Sequence, residues 1–433
     1  MFSDVELLKR TRLKTPSYVY FERTLRENCE RARALIRPTE THFLYSMKSL
    51  ELAPVLKIIS EYVDGFAASS FFEARLARDI LGNKGHVHLT TPGLRPDEIP
   101  ALSTICSSIT FNSLRQYNTL KWMLPATQEI ALRVNPQHQI VEDEDYDPCC
   151  DNSRLGVTLP ELLWHLERND QVLAGFSGVH FHTNCEGDDF LDLEDTVNVI
   201  TDALGDHMHK LKWINLGGGY YFDDPKHPEA FQRVIEKLKT EYRLETYFEP
   251  GGGIVNSAGY LVSSVLDVVG PIHSKTAILD TTVNHLPECL EFDYEPDVFG
   301  DQDTGHDYTL AGSSCLASDV FGDYAFSKPL KCGEQVIMRN VGAYSHVKCH
   351  SFNGLNLPTI YMVDENQNVS EIVSFDYGDF ARKNGIGAAD HREFVMKNGN
   401  GATDHSAFAR MNGNGAADDN AFTTKNAMEM QHD

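Results

Sequence analysis

The sequence predicts an α/β fold: a (β/α)8 TIM barrel joined to a smaller C-terminal all-β domain. Three features carry that expectation. From about residue 15 to 253, eight short apolar runs alternate with amphipathic helical stretches. Candidate functional side chains stand at or just after the ends of those runs, where barrel folds collect their chemistry. Beyond residue 259 the helical periodicity gives way to β runs separated by turn residues.

In order, the expected barrel strands cover 41–46, 65–68, 86–89, 108–111, 130–134, 175–182, 213–216 and 246–249. The clearest intervening helical stretches are 51–62 and 189–210. Lys48, Ser69, Arg133, His182, Gly217 and Glu249 fall at or after predicted strand ends. The β domain is expected to use strands at 261–269, 277–280, 335–339 and 359–364, joined by an N-terminal strand near 18–21. The expected domains are therefore a barrel over 20–256, a sandwich- or barrel-like β domain over 257–380 with 1–19, and a tail over 381–433. In the tail, Asn384-Gly385, Asn398-Gly399 and Asn412-Gly413 recur every 14 residues, and Phe394, Phe408 and Phe422 keep step. Such repeats bury too little to offset their ordering entropy, so the tail is expected to be disordered.

Composition narrows the function. A formal net charge of −25 argues against nucleic acid and anionic membranes, which need clustered Lys and Arg. It tolerates a small cationic substrate, and the run Glu142-Asp143-Glu144-Asp145-Tyr146-Asp147 is either a polycation lure or a solvated loop. No run of 18 apolar residues suggests a membrane span, and the acidic N-terminus is not a secretory signal. Nine scattered cysteines suit a reducing compartment, and a cytoplasmic location is expected. His180 and His182 form a possible metal pair, but no third ligand stands at a sensible spacing, so no metal is expected.

The chemistry starts at Lys48, in Tyr45-Ser46-Met47-Lys48-Ser49-Leu50. A lysine at a strand mouth is desolvated, which lowers its pKa and makes it a usable amine nucleophile toward an aldehyde. Two glycine loops, Leu216-Gly217-Gly218-Gly219 and Glu249-Pro250-Gly251-Gly252-Gly253, follow late strands. Glycine there lets backbone N–H groups approach an anion, as at a barrel phosphate site. Glu249 beside such a site needs a cation between itself and the phosphate. A pyridinium nitrogen is such a cation, and the set together describes pyridoxal 5'-phosphate. His182 is then placed to stack on the ring, the alternative being an ordinary core histidine.

The segments Thr15-Pro16-Ser17-Tyr18-Val19-Tyr20, Tyr45-Ser46-Met47-Lys48, Ser153-Arg154-Leu155-Gly156, His180-Phe181-His182-Thr183-Asn184-Cys185-Glu186, Glu249-Pro250-Gly251, Ser351-Phe352-Asn353-Gly354 and the stretch from Cys315 to Tyr324 resemble one family. It is the pyridoxal-phosphate decarboxylases of alanine-racemase-like fold, and within it the carboxynorspermidine and carboxyspermidine decarboxylases. The resemblance covers about residues 15 to 380. It implies that Lys48 holds the cofactor, His182 stacks on it and Glu249 keeps its ring nitrogen protonated. Gly218, Gly219, Gly251 and Gly252 contact phosphate, and Tyr344 reaches the cofactor from the β domain. Cys315 supplies the proton after decarboxylation, with Asp319 in the same motif. In the family these two come from the partner subunit, so a homodimer with shared active sites is implied. Asp319, Glu186 and Arg133 are the implied substrate-side contacts, and Ser69 lies near the cofactor.

Two positions depart from relatives. Leu316 stands where diaminopimelate and basic-amino-acid enzymes carry an acid, which favours a longer or secondary-amine substrate. Gly252-Gly253 stand where relatives carry Arg or Glu-Ala, which opens or neutralises the pocket. The expected reaction is removal of the α-carboxylate from carboxynorspermidine, carboxyspermidine or a related N-alkylated diamino acid. The alternatives are decarboxylation of another basic or diamino acid, a racemase of the same fold, and a non-enzymatic homologue.

Overall fold

The computed structural model describes residues 2–141, 146–271 and 275–387. The acidic segment 142–145 and the repeats from residue 388 onward lie outside the described residues. The chain divides into two units between Phe375 and Asp376.

In chain order the strands are β1 (Ser17–Phe21), β2 (His42–Ser46), β3 (Gly65–Ala68), β4 (His86–Thr90), β5 (Ser108–Phe111), β6 (Glu129–Asn135), β7 (Val157–Thr158), β8 (Gly178–His180), β9 (Trp213–Asn215) and β10 (Glu245–Phe248). The second set is β11 (Gly259–Val269), β12 (Lys275–Leu279), β13 (Asp301–Ala311), β14 (Val320–Phe326), β15 (Gln335–Met338), β16 (Thr359–Val363) and β17 (Val369–Val373).

Strands β2, β3, β4, β5, β6, β8, β9 and β10 pair in parallel in that order, and β10 pairs back to β2 to close an eight-stranded barrel. Parallel strands buried on both faces read as continuous apolar runs, which is why these elements were legible. Leu44, Ala67, Ala131, Trp213 and Tyr247 cluster apart from the main core and are all buried. Crossover helices such as Leu191–Leu204 and Pro228–Glu241 connect the strands. Their buried residues, among them Val197, Ile200, Phe231 and Val234, belong to the main hydrophobic core.

Three boundaries differ from expectation. The strand expected at 175–182 is only Gly178–His180, because Val172–Gly175 is a 3-10 turn and β9 offers a three-residue partner. The helix expected at 189–210 stops at Leu204, where Gly205 takes φ +48°, and continues as a 3-10 turn. The helix expected at 51–62 is Ala53–Ile59.

The second sheet is mixed, in the order β14-β13-β12-β11-β1-β16-β17, with β15 paired to β11. The N-terminal strand β1 sits inside it, antiparallel to β11 and parallel to β16, and all five of its residues are buried. Strands β13, β14 and β17 were not anticipated. The first seven residues of β13, Asp301 to Asp307, are exposed, so ladder hydrogen bonds rather than an apolar pattern define them. The sheet is tied to the barrel mouth by two backbone bonds: Tyr344 N–H donates to Ser49 O (2.9 Å), and Gly342 N–H to Asn256 O (3.0 Å). In the second unit, Asp376 caps the helix Tyr377–Lys383, which runs three residues into the segment expected to lack structure.

Candidate active site

A cavity of about 600 Å³ opens at the C-terminal ends of the barrel strands. Lys48, Ser69, Arg133, His182, Glu186, Gly219, Glu249, Gly251, Gly252 and Tyr344 all line it. Among the expected residues, Gly218, Cys315 and Asp319 do not.

Lys48 is placed by its neighbours. After β2, Met47–Ser49 makes one 3-10 turn in which Met47 and Ser49 are buried. Ser49 Oγ bonds Ser46 O at 2.8 Å, and Tyr344 holds the carbonyl of Ser49. The lysine between them stands in the cavity and keeps accessible surface there, while protein packed around the cavity desolvates it. Burial, then the Arg133 charge, hold its ammonium below the usual lysine range, with Glu249 acting in the opposite sense.

Glu249 follows β10 directly and is held by the last residues of the two preceding strands. His180 Nε2 lies 2.9 Å from one carboxylate oxygen, and Asn215 Nδ2 donates to the other at 2.8 Å. Burial alone raises the pKa of Glu249, but the hydrogen bonds from His180 and Asn215 act against it, and the group stays below the usual carboxylate range. Burial lowers the pKa of His180. Its Nδ1 has no partner among the described residues, so a second proton there would lack an acceptor. We therefore assign a neutral His180 donating Nε2–H to an ionised Glu249.

His182, two residues past β8, accepts the Gly218 N–H on Nδ1 at 3.2 Å. Burial, then Lys48 and Arg133, keep its pKa well below the usual imidazole value. It is thus neutral, with its proton on Nε2. In this structure the N–H of Gly218, expected as a phosphate contact, is engaged by the imidazole. No group of three or more His, Cys, Asp or Glu side chains that could hold a metal ion occurs among the described residues.

Both glycine loops are shaped for close approach. A Cβ on Gly218 would meet Glu249 O at 2.2 Å, one on Gly219 (φ +92°) Asn184 O at 2.1 Å, and one on Gly251 Ser49 Oγ at 2.7 Å. A Cβ on Gly252 meets nothing nearer than Tyr344 at 3.8 Å. A Cβ-free rim, a desolvated lysine and a buried ionised carboxylate fit pyridoxal phosphate on this structure's own terms.

Arg133 lies within β6 rather than past its end, because the strand continues to Asn135. Burial presses its pKa to about 10, against the pull of Glu249, so it remains a cation at neutral pH. Glu186 is exposed, with φ +60°. Burial raises the pKa of Tyr344. Cys315 is exposed, and its backbone N–H bonds Asn353 Oδ1 at 2.7 Å. Asp319 is buried and accepts the N–H groups of Val283 (2.8 Å) and Ser314 (2.9 Å). It shapes the loop carrying Cys315 and, among the described residues, is not part of the cavity lining.

The sequence reading weighed His180 only as half of a possible metal pair and gave no role to Asn215, Glu288 or Lys348; the structure puts His180 and Asn215 behind Glu249, and Glu288 and Lys348 in the cavity wall. The first two were findable, being polar residues at the ends of otherwise apolar strands.

Comparisons agree with this geometry. Residues 18–342 match the family described as pyridoxal-dependent decarboxylase, C-terminal sheet domain. The chain is similar to carboxyaminopropylagmatine decarboxylase of Synechocystis sp. (33% identity, 88% of this chain, 99% of the relative). It is also similar to carboxynorspermidine/carboxyspermidine decarboxylase of Campylobacter jejuni (29%, covering 86% and 99%). Among solved structures it resembles the Campylobacter jejuni carboxynorspermidine decarboxylase complexed with norspermidine, at TM-score 0.77 and 27% identity over 86% of this chain and 100% of that one. Helicobacter pylori diaminopimelate decarboxylase, at 18% identity and TM-score 0.75, shares the fold. The chain belongs to the pyridoxal-dependent decarboxylases.

Proposed function

We propose that the chain removes the α-carboxylate of carboxynorspermidine, carboxyspermidine or a related N-alkylated diamino acid, giving a polyamine. The observation that carries this is the cavity wall: Glu186 and Glu288 line the same cavity as Lys48, and a side chain at Gly252 would meet nothing closer than 3.8 Å. The wall thus suits a long ligand cationic at its far end. The relatives named for carboxylated polyamines support the same class. A substrate ending in a guanidinium, as carboxyaminopropylagmatine does, belongs to that class too.

When bound, pyridoxal phosphate supplies the sink for the electron pair left as CO₂ departs. Lys48 would hold the cofactor through its amine. Glu249 supplies the negative charge that keeps a ring nitrogen protonated, with His180 and Asn215 fixing its orientation. His182, held neutral by burial and the nearby Lys48 and Arg133 and oriented by Gly218, offers a flat face without adding charge. Gly219, Gly251 and Gly252 present backbone N–H groups to the phosphate, Tyr344 closes the site from the sheet side, and Arg133 adds a fixed cation. We assign the proton donor to Cys315 of a second copy of the chain, because this chain's own Cys315 lies outside its cavity. A homodimer with shared sites follows from that assignment. The nine cysteines are free in the structure, which suits the cytoplasm.

The test is incubation of cofactor-loaded protein with carboxynorspermidine, carboxyspermidine and carboxyaminopropylagmatine beside diaminopimelate and ornithine. Release of CO₂ with a polyamine product from at least one of the first three is expected. Turnover confined to the last two, or D-amino acid without CO₂, refutes the assignment.

A further inference from the structure

Lys348 enters the cavity from the segment that follows Tyr344. Its ammonium lies 2.5 Å from a Glu291 carboxylate oxygen and 3.4 Å from one of Glu288. It also stands over the rings of Phe292 and Tyr344, at 5.4 and 5.5 Å from their centres. Carboxylates and ring faces gathered around one ammonium are the elements by which proteins recognise alkylammonium ligands. Lys348, Glu288, Phe292 and Tyr344 all line the cavity. The recognition box is therefore part of the wall, and the chain's own cation already stands in it. Glu186 lines the same cavity and forms no salt bridge among the described residues.

We infer that Lys348 is a specificity-determining residue, a resident ammonium that competes with the far ammonium of a polyamine for Glu288 and limits how tightly the cavity holds it. This rests on the reading of the substrate as a carboxylated polyamine. Loss of CO₂ removes a negative charge, so the product is one charge more cationic than the substrate. An acidic wall without an internal cation would retain that product. Lys348 offsets one carboxylate and keeps the box exchangeable. A ligand too short to reach the box is indifferent to it.

The test is calorimetric titration of cofactor-loaded protein with norspermidine and with 1,3-diaminopropane, for the parent, Lys348→Met and Lys348→Arg. Lys348→Met is expected to bind norspermidine roughly five- to tenfold more tightly, the worth of about one partly screened ion pair. Its affinity for the diamine should stay within about twofold, and Lys348→Arg should behave as the parent. Substrate assays should show KM and kcat of Lys348→Met falling together, as product release slows. Equal weakening for both amines would make Lys348 merely structural and overturn the inference, as would unchanged affinities or a parent that binds neither amine. Failure to turn over any carboxylated polyamine, with this binding pattern intact, sinks the proposed reaction and leaves the role of Lys348 standing.

Discussion

Lys48 and Glu249 share a cavity that desolvates both, yet their charges respond in opposite ways. Lys48 has only Arg133 and burial pressing on it, and its amine loses its proton more readily. Glu249 has two hydrogen-bond partners and stays ionised. Lys48→Ala is expected to lower turnover by on the order of 10³-fold or more, with loss of cofactor absorbance near the visible edge, read by single-turnover assays and spectra. Glu249→Gln keeps the shape but removes the charge and sets an amide N–H₂ against either His180 or Asn215. A loss of about 10²- to 10³-fold in kcat is expected, and near-parent kcat would exclude an electrostatic role. Lys48 and Glu249 were readable because each closes an apolar run. Their partners were less so, because Glu249 meets residues 69 and 34 positions earlier only through the parallel register of β8, β9 and β10.

At the scale of elements, the two glycine loops make separable demands. Gly219→Ala forces a Cβ into the Asn184 carbonyl from a left-handed backbone, and Gly218→Ala forces one into that of Glu249. Each is expected to lower stability by about 1–3 kcal/mol and to weaken cofactor retention, measured by thermal melts and dialysis against cofactor-free buffer. Gly252→Ala makes only ordinary van der Waals contacts, with Tyr344 at 3.8 Å, and should retain both within error. Equal damage at all three would contradict this account of the loops. The same contrast explains what the sequence disclosed about elements. Barrel strands buried on both faces announce themselves as apolar runs. The exposed half of β13 and the short β17 carry no such signal, because their pairing is written in backbone hydrogen bonds. Glu288 and Lys348 lie some sixty positions apart and meet only after the sheet folds over the barrel mouth.

For the whole molecule, two behaviours follow. Lys48→Ala and Cys315→Ala chains should each be inactive, and mixing them in equal amounts after reversible dissociation should restore roughly a quarter of parent activity if Cys315 acts across a dimer. No restoration would place every catalytic group within one chain. Buried neutral histidines set the pH response. Burial lowers His88 to about 3 and His285 to about 4. A histidine with a depressed folded pKa stabilises the fold above its ordinary value of 6.5, and that stability drains as pH falls below it. Each such group costs about 1.4 kcal/mol per pH unit in that window. Glu249 has the opposite dependence on charge but loses its contribution only below its ordinary 4.5, outside the range from 7 to 5. Melting temperature should therefore drop between pH 7 and 5, and a flat profile would mean that these histidines are not buried as described.

The most direct test of the central claim is borohydride reduction of the cofactor-saturated chain followed by peptide mass mapping. The account predicts one pyridoxyl adduct, on the peptide that carries Lys48. An adduct on another lysine, or none at saturation, would contradict it.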